Sequence, residues 1–426
     1  LAVNVMLFNV LTSTYFLVLI GVLLILLGIT LLTQIAAKGK GIGGKIFCIL
    51  ICIILGVGSF YIGKVNNAFQ KITGSNKKTS SMVVAVKADD NADTLSAAAG
   101  YTFGVQYATG GDQTKSAVKQ IEKELGQNIT LQEYSNLGEE AQALYDGEVD
   151  AIIYNSAYSN IIKEQYSTFT KDTKVIYKHN IVVEIESDTS DESVTKPFAV
   201  YLSGIDTNGD ITEQGRSDVN IVAVVNPTSH QVLLITTPRD YYVPIPGVSG
   251  GQDDKLTHAG IYGVDVSMQT LEALYDTDIE FFGRVNFTSM TSVVDALGGL
   301  DVESDLEFDT GWESGAEIHV NEGMNHFDGI SALAFCRERQ ALPDGDNGRG
   351  VHQQAVITAI IKKMMSPAML RGASDIIESV SDGVDTNFTS SQIQSLIKTQ
   401  LRTNAKWNIY SVAADGTGGT DICYSS

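Results

Sequence analysis

One arginine-rich stretch contains residue types that could bind or activate a substrate. It is CRERQALPDGDNGRGVHQQ, residues 336–354. It places Arg337, Arg339 and Arg349 in one short window, although the chain has 29 Lys and Arg against 50 Asp and Glu. The net charge of -21 argues against a nucleic-acid partner, which requires a basic face. Converging guanidinium groups instead suit a phosphate or pyrophosphate, which they bind through paired, charge-assisted hydrogen bonds.

Further charged residues lie where predicted strands begin or end. Asp206 ends the first strand of the C-terminal part, Arg216 and Asp218 begin the second, Arg239 follows the third, and Lys255 comes after it. Ligands bind at strand ends in α/β folds. Two carboxylates such as Asp206 and Asp218, without a His or Cys cluster, suit Mg²⁺, which completes its shell with phosphate and water. Arginines, carboxylates and Mg²⁺ together predict phosphoryl transfer.

Each of these signals also has a structural explanation. A single Arg–Asp pair is usually a solvated ion pair worth about 0–1 kcal/mol. Glu338 could simply pair with a neighbouring arginine, His258 could be structural, and GDNGRG could be only a turn. A helix predicted over residues 351–365 would add N–H groups for an anion at its start, near Gln353. No Walker A loop, GxSxG or HExxH pattern occurs in the sequence.

Alternating strands and helices must position these residues. The strand candidates are FAVYLSGID, DVNIVAVVN, HQVLLITTP and IEFFGRVNF, and the helix candidates are VSMQTLEALYD, TSMTSVVDALGG, VHQQAVITAIIKKMM and SSQIQSLIKTQLRT. This order predicts an α/β fold, an α-β-α sandwich around a mixed central sheet, over residues 198–426. Residues 82–185 alternate in the same way and predict a smaller accessory α/β domain without a catalytic constellation. Residues 64–81 and 187–197 are polar and predict linkers.

Two uncharged apolar segments precede these domains. The predicted transmembrane helices span about residues 11–33 and 46–63, within a membrane anchor at 1–66. The connector between them carries lysines and no acid, so it is expected on the cytoplasmic side. Everything after about residue 64 is then expected outside the cell. The first residue is Leu, and we expect the sequence to start inside a longer protein and its C-terminus to be truncated as well.

Five blocks of the C-terminal part resemble one family. They are SGIDTNGDITEQGRSDVNIVAVVN, TTPRDYYVPI, KLTHAGIYGVD, VNFTSMTSVVDALGGLDV and FCRERQALPDGDNGRGVHQQ, in that order. The set resembles the LytR–CpsA–Psr family of Gram-positive cell envelope proteins over roughly residues 198–412. The apolar segments and the accessory domain are similar to those of its capsule-operon (CpsA-like) branch.

The resemblance implies a function for the chain. Family members transfer a glycopolymer, such as capsular polysaccharide or wall teichoic acid, from a polyprenyl-pyrophosphate carrier to peptidoglycan with Mg²⁺. The implied metal ligands are Asp206 and Asp218, and Arg216, Asp218 and Arg239 are implied as catalytic. The implied pyrophosphate ligands are Arg239, Arg337, Arg339, Arg349, Gln353 and Lys255. Tyr262 lies in a matching block without an assigned role.

Three other functions compete with transfer. The same site could hydrolyse a polyprenyl pyrophosphate by attack of water. The chain could instead be a regulatory protein, a transcriptional attenuator, or a scaffold whose accessory domain recruits capsule assembly proteins. The exterior position expected for the motifs argues against the attenuator. Product analysis with and without a peptidoglycan acceptor separates hydrolysis from transfer.

Overall fold

Two apolar helices begin the described part of the chain. The computed structural model describes residues 13–36, 42–72, 77–108, 110–184, 193–205, 211, 215–249, 251–343, 345–366 and 383–419. Helix α1 is Ser13–Ala36 and helix α2 is Ile42–Ile72. Among these residues one stretch, Phe16–Ala36, is long and apolar enough to cross a membrane, as in membrane anchors and in signal sequences. The apolar part of α2, Gly44–Phe60, is shorter, so the second membrane segment stays a prediction.

The accessory region forms an α/β unit around a five-stranded sheet. Its elements are β1 (Lys77–Lys87), β2 (Thr102–Gln106), α3 (Gly111–Leu125), β3 (Thr130–Tyr134), α4 (Leu137–Asp146), β4 (Ala151–Asn155), α5 (Ser159–Gln165), α6 (Phe169–Asp172) and β5 (Thr173–Glu184). The strand order is β3-β2-β4-β1-β5. Strand β4 is buried throughout because α3 packs on one face of the sheet and α4 and α5 on the other.

The polar stretch 64–81, predicted to be a linker, belongs instead to secondary structure at both of its ends. Helix α2 continues to Ile72, and β1 begins at Lys77, before the predicted domain start at residue 82. Strand β1 starts early because it pairs along its whole length with β5, from Lys77 opposite Glu184 to Lys87 opposite Thr173. Backbone pairing therefore outweighs the polar composition of this segment.

The second region contains the predicted mixed sheet. Its elements are β6 (Phe198–Ile205), β7 (Ser217–Asn226), β8 (Gln231–Thr236), β9 (Tyr242–Pro244), β10 (Asp253–Lys255), α7 (Leu256–Tyr262), α8 (Val264–Tyr275), β11 (Phe281–Asn286), α9 (Phe287–Ala296), β12 (Leu300–Ser304), β13 (Phe308–Asp309), β14 (His319–Val320), β15 (Gly323–Phe327), α10 (Gly329–Arg337), α11 (Gly345–Met364), β16 (Val384–Thr386), α12 (Ser390–Thr403) and β17 (Asn408–Ala413). Six strands form one sheet in the order β16-β11-β6-β7-β8-β17. The four predicted strands correspond to β6, β7, β8 and β11.

Helices cover both faces of this sheet, so the α-β-α sandwich is confirmed. Side chains from α7 and α8 pack on one face with Tyr201, Val222 and Phe282. Side chains from α11 and α12 pack on the other face with Phe281 and Leu234. Strands β6, β8, β11 and β17 run in one direction and β7 in the other. The ends of four strands and the start of β7 therefore meet at one edge of the sheet.

Candidate active site

A cleft opens at that edge of the sheet. It is a small, open cleft that lies where β8 and β17 end and β7 begins. Four of its lining residues were predicted from the sequence, and they are Asp218, Arg239, Arg349 and Gln353. The others are Thr236, Thr237, Pro238, Gly350 and Ala413. The fold thus brings together residues that lie more than a hundred positions apart in the sequence.

An ion pair forms one wall of the cleft. Arg239 Nη1 lies 2.6 Å from Asp218 Oδ1, and both side chains are about 15% exposed. The start of α7 holds this wall in place. The N–H of Thr257 donates to the Arg239 carbonyl at 2.8 Å, and the Thr257 hydroxyl lies 3.5 Å from Asp218 Oδ1. A partly desolvated arginine beside a carboxylate is suited to binding an anion together with a metal ion.

Helix α11 supplies the opposite wall. Arg349 and Gln353 lie four residues apart on one face of the helix, and each is less than 10% exposed. A side chain at Gly350 would place a Cβ 3.2 Å from the Thr236 methyl group. Glycine at this position therefore lets α11 pack close against the end of β8, which brings Arg349 into the cleft.

The helix begins earlier than the sequence pattern predicted. We expected it to start at residue 351 and its first N–H groups to bind the anion, but α11 begins at Gly345. The amides near Gln353 are therefore inside the helix and bond to preceding carbonyls. The GDNGRG segment is the first part of α11 rather than a turn. Side chains, not the helix start, face the cleft at this point.

Two further charged residues stand beside the cleft but do not line it. Lys255 Nζ lies 3.3 Å from Asp240 Oδ1, and Asp240 also lies 3.8 Å from Arg239 Nε. Arg216 is half-buried directly before β7. The pyrophosphate role of Lys255 and the catalytic role of Arg216 stay predictions. Asp206, the other predicted metal ligand, lies outside the described residues.

The remaining two arginines of the opening window do not line the cleft in this structure. The Arg337 guanidinium stacks over the Phe287 ring at 4.4 Å, at the end of α10. Arg339 is exposed in the loop that follows. Closely spaced arginines therefore do not all point to one place. Their predicted contact with pyrophosphate remains a prediction.

Glu338 does not pair with an arginine side chain among the described residues. It is 1% exposed, and its carboxylate accepts hydrogen bonds from the N–H groups of residues 311, 339, 340 and 341 and from the Ser314 hydroxyl. Burial raises the pKa of this carboxyl, and the hydrogen bonds lower it by more, so the net pKa is below its ordinary value. Glu338 organises the loop that presents Arg339.

Two histidines of the motif blocks have structural surroundings. His258 is buried, and its Nδ1 lies 2.8 Å from Asp254 Oδ1. His352 is stacked on the Phe335 ring at 3.9 Å, and burial lowers its pKa. Tyr262 ends α7 and packs on Tyr158 of the accessory region at 5.3 Å between ring centroids. None of these three side chains lines the cleft described above.

The metal prediction can be compared with the donors that are present. Among the described residues there is no group of three His, Cys, Asp or Glu side chains that could bind a metal ion. Asp218 supplies one carboxylate in the cleft. Because Mg²⁺ often uses one or two protein carboxylates and fills its shell with phosphate and water, this donor set fits Mg²⁺ and does not fit a site built from protein ligands alone.

Several cleft residues carried no signal in the sequence analysis. Three of them, Thr236, Thr237 and Gly350, lie in the sequence blocks that resemble the family. They carry no charge, so their residue types gave no reason to select them. Ala413 ends β17, a strand that the sequence analysis did not predict. The parallel pairing of β17 with β8, Val412 beside Ile235, brings Ala413 to the cleft. The position of Ala413 at the cleft therefore follows from the sheet topology and not from a local sequence pattern.

A family model matches residues 152–424, described as the LytR_cpsA_psr family. This match covers well over half of the chain, from β4 of the accessory region to beyond β17. The chain belongs to the LytR–CpsA–Psr family. The resemblance seen in five sequence blocks is thereby confirmed for the family. The capsule-operon branch is not distinguished by this match.

Curated relatives of this LytR–CpsA–Psr protein are named as teichoic acid transferases. Polyisoprenyl-teichoic acid–peptidoglycan teichoic acid transferase TagU of Bacillus cereus (strain AH820) is 34% identical over 253 residues, which are 59% of this chain and 77% of the relative. TagU of Enterococcus faecalis (strain ATCC 700802 / V583) is 36% identical over 203 residues, 47% of this chain and 65% of the relative.

Solved structures show a more distant likeness to this LytR–CpsA–Psr protein. TagV of B. subtilis is 27% identical, with a TM-score of 0.47, over 53% of this chain and 87% of TagV. Protein gbs0355 of Streptococcus agalactiae is 25% identical, with a TM-score of 0.49, over 56% of this chain and 84% of that protein.

Proposed function

We propose that this protein is a membrane-anchored extracellular phosphotransferase. It attaches a glycopolymer, linked to a polyprenyl-pyrophosphate carrier, to peptidoglycan. The observation that carries the proposal is the cleft in which Arg239, Arg349, Gln353 and Asp218 meet. Family membership and the TagU relatives support the same reaction. Such a reaction needs positioned positive charge more than a covalent protein nucleophile.

The pyrophosphate would lie between the two walls of the cleft. Arg239 and Arg349 would each offer paired N–H donors to its oxygens, and Gln353 would donate through its amide. The low exposure of these side chains strengthens each charged hydrogen bond, because less water competes for the phosphate. Arg337 at the end of α10, Arg339 in the loop after it and Lys255 of β10 would add further positive charge to the pyrophosphate.

The carrier lipid would lie along the α7–α8 face of the sheet. Val222 and Ile235 face each other across β7 and β8 on this face, and Val224 packs nearby. Tyr410 and Val412 of the neighbouring strand β17 are about half exposed. Leu234, the residue before Ile235 on β8, belongs to the opposite face of the sheet with Ala223. An apolar strip that leads to a charged cleft suits a lipid phosphate.

Magnesium would be bound by Asp218, with Asp206 as the proposed second carboxylate. The ion would neutralise charge on the phosphate oxygens. Asp218 is paired with Arg239 at 2.6 Å, so phosphate oxygens would have to take over part of that pairing. A loss of Mg²⁺ response in Asp218→Asn, with the fold intact, supports this assignment, and an unchanged response would remove Asp218 as a ligand.

We also propose that the protein belongs to the capsule-operon branch of the family. The support is the accessory sheet β1–β5 between the apolar helices and the catalytic region. The named relatives act on teichoic acid, so the polymer attached by this chain is either capsular polysaccharide or wall teichoic acid. Comparing both lipid-linked polymers as donors with the purified protein decides between them.

The decisive test measures bound lipid and transfer in the same preparations. The protein, purified in detergent, is analysed by native mass spectrometry for polyprenyl phosphate and assayed for transfer with Mg²⁺ and peptidoglycan. We expect Arg239→Ala and Arg349→Ala to lose lipid and to lower transfer, each by roughly 10- to 150-fold per charged hydrogen bond removed.

The matched control is Lys174→Ala, which removes a lysine paired with Asp93 at 2.6 Å in the accessory region. It should transfer at the wild-type rate. A normal rate in Arg349→Ala would overturn the assignment of the cleft. Equal release of lipid phosphate with and without peptidoglycan would show that the protein hydrolyses the pyrophosphate and does not transfer the polymer.

A further inference from the structure

Helix α7 belongs to two hydrophobic cores at once. Its first residue, Leu256, packs in the core of the catalytic region with Tyr201 and Val222. Ile261, near its other end, is fully buried in the accessory core with Val83, Ile152 and Phe169. The helix is only seven residues long. A rigid segment of this length transmits a displacement at one end directly to the other.

The accessory end of α7 is fixed by an aromatic contact. Tyr158 follows β4 and is 3% exposed, and its ring lies 5.3 Å from the ring of Tyr262. The ring planes are tilted by 46°, an arrangement that stabilises aromatic pairs beyond the area they bury. A Cβ at Gly110 would lie 3.0 Å from the Tyr158 hydroxyl, so glycine at this turn leaves room for the Tyr158 side chain.

The catalytic end of α7 contacts both partners of the cleft ion pair. The N–H of Thr257 donates to the Arg239 carbonyl at 2.8 Å, and the N–H of Leu256 donates to the Tyr241 carbonyl at 2.8 Å. The Thr257 hydroxyl lies 3.5 Å from Asp218 Oδ1. A Cβ at Gly260 would meet the Ser217 N–H and the Gly215 carbonyl at 2.8 Å. The helix is therefore in close contact with the start of β7 as well as with the loop after β8.

We propose that the accessory domain positions the cleft through α7, with Tyr158 and Ile261 as its positioning residues. Tyr158 and Ile261 fix the far end of the helix, and Thr257 transmits that position to Asp218 and Arg239. The inference rests on the proposed phosphotransfer function for its activity readout. The structural coupling itself can be measured without any substrate.

The first experiment measures hydrogen exchange of the full chain in detergent. In Tyr158→Ala, the amides of residues 256–262 should exchange faster than in the wild type. The matched control is Val118→Ala, which shortens a buried side chain in the other core of the same accessory sheet. It should leave exchange in α7 unchanged. Equal protection of α7 in wild type and Tyr158→Ala would overturn the proposal, whatever the protein's activity.

The second experiment measures transfer in a double-mutant cycle. Tyr158→Ala should lower the rate by roughly 2- to 30-fold, the range typical of residues that modulate a distant site, and Tyr158→Phe should retain it. If α7 connects the two sites, Tyr158→Ala combined with Thr257→Val loses less than the product of the single losses. Tyr158→Ala combined with Gln353→Ala, on α11, should lose the full product. Multiplicative losses in both pairs would exclude α7 as the connection.

The two proposals fail in different ways. No transfer by the wild-type protein, together with faster exchange of α7 in Tyr158→Ala, would reject the proposed reaction and keep the coupling. Normal transfer in Tyr158→Ala, with α7 still protected, would reject the coupling and keep the reaction.

Discussion

Two buried glutamates, one in each α/β region, have opposite surroundings. Glu140 lies on α4 of the accessory region and Glu338 follows α10 of the catalytic region, and each is 1% exposed. Neither oxygen of Glu140 has a hydrogen-bond partner among the described residues. Glu338 accepts bonds from four backbone N–H groups and one hydroxyl. Equal burial therefore has different consequences.

The pKa values follow from these surroundings. Burial raises the pKa of Glu140 well above its ordinary value, and the nearby backbone N–H of Ile153 offsets only part of that rise. Hydrogen bonds lower the pKa of Glu338 below its ordinary value in spite of its burial. The accessory region thus buries a carboxyl that favours the neutral form, whereas the catalytic region stabilises a charge. A fold that binds an anion with arginines needs rigid loops to hold them. The Glu338 carboxylate fixes one such loop by accepting hydrogen bonds from its backbone N–H groups.

Removing the Glu338 carboxylate should have the largest effect on stability. Glu338→Ala leaves the N–H groups of residues 311, 339, 340 and 341 without their acceptor. We expect a loss of about 3 kcal/mol in the free energy of unfolding, because each unpaired buried donor costs about 1–3 kcal/mol and water reaches some of them. Urea denaturation measures the loss. Glu313→Ala, in the neighbouring turn but exposed, is the control and should change stability by less than about 0.5 kcal/mol. Equal stability of the two variants would show that this loop is not held by Glu338.

The sequence alone predicted the sheet better than the cleft. Strands β6, β7 and β8 have continuous apolar runs, which are typical of buried strands, and β11 begins with two phenylalanines. All four strands were found within about two residues of their predicted bounds. The start of α11 was missed because Gly, Asn and Asp are typical of turns. The close approach of Gly350 to Thr236 is a tertiary contact, which the local sequence pattern does not show. Asp218, Arg239, Arg349 and Gln353 were selected by type, but no local pattern could separate Arg349, which lines the cleft, from Arg339, which is exposed.

The Glu140→Gln substitution tests whether Glu140 is neutral in the folded protein. The test uses the pH dependence of the free energy of unfolding. A glutamate with a raised pKa in the folded state binds its proton more tightly when folded. Its contribution to stability is present below the unfolded pKa, near 4.5, and is lost as the pH rises toward the folded pKa. Glu140→Gln should remove this loss, so its advantage over the wild type should grow above pH 4.5 by at most about 1.4 kcal/mol per pH unit.

Urea denaturation of wild type and Glu140→Gln at pH 5, 6.5 and 8 measures this slope. Glu338→Gln is the matched control of opposite sign. The stability contributed by Glu338 is present above the unfolded pKa and is lost as the pH falls through the lowered folded pKa, so this variant should lose a nearly constant amount of stability between pH 5 and pH 8. A constant difference between Glu140→Gln and wild type across the three pH values would show that Glu140 is charged in the folded protein.

The smallest expected effect concerns a buried group that has no charge. The Tyr201 hydroxyl donates to Asn220 Oδ1 at 2.7 Å and lies 2.8 Å from Ser217 Oγ, directly before Asp218. Tyr201→Phe should lower the free energy of unfolding by about 1 kcal/mol, the net value of a typical buried hydrogen bond. The loss should be the same at pH 5 and pH 8, because burial raises the pKa of Tyr201 above 10.0 and the group stays neutral throughout.

The control is Tyr410→Phe, on the exposed strand β17, which should change stability by less than about 0.5 kcal/mol. A pH-dependent loss in Tyr201→Phe would contradict a neutral hydroxyl that keeps the same hydrogen bonds across this pH range.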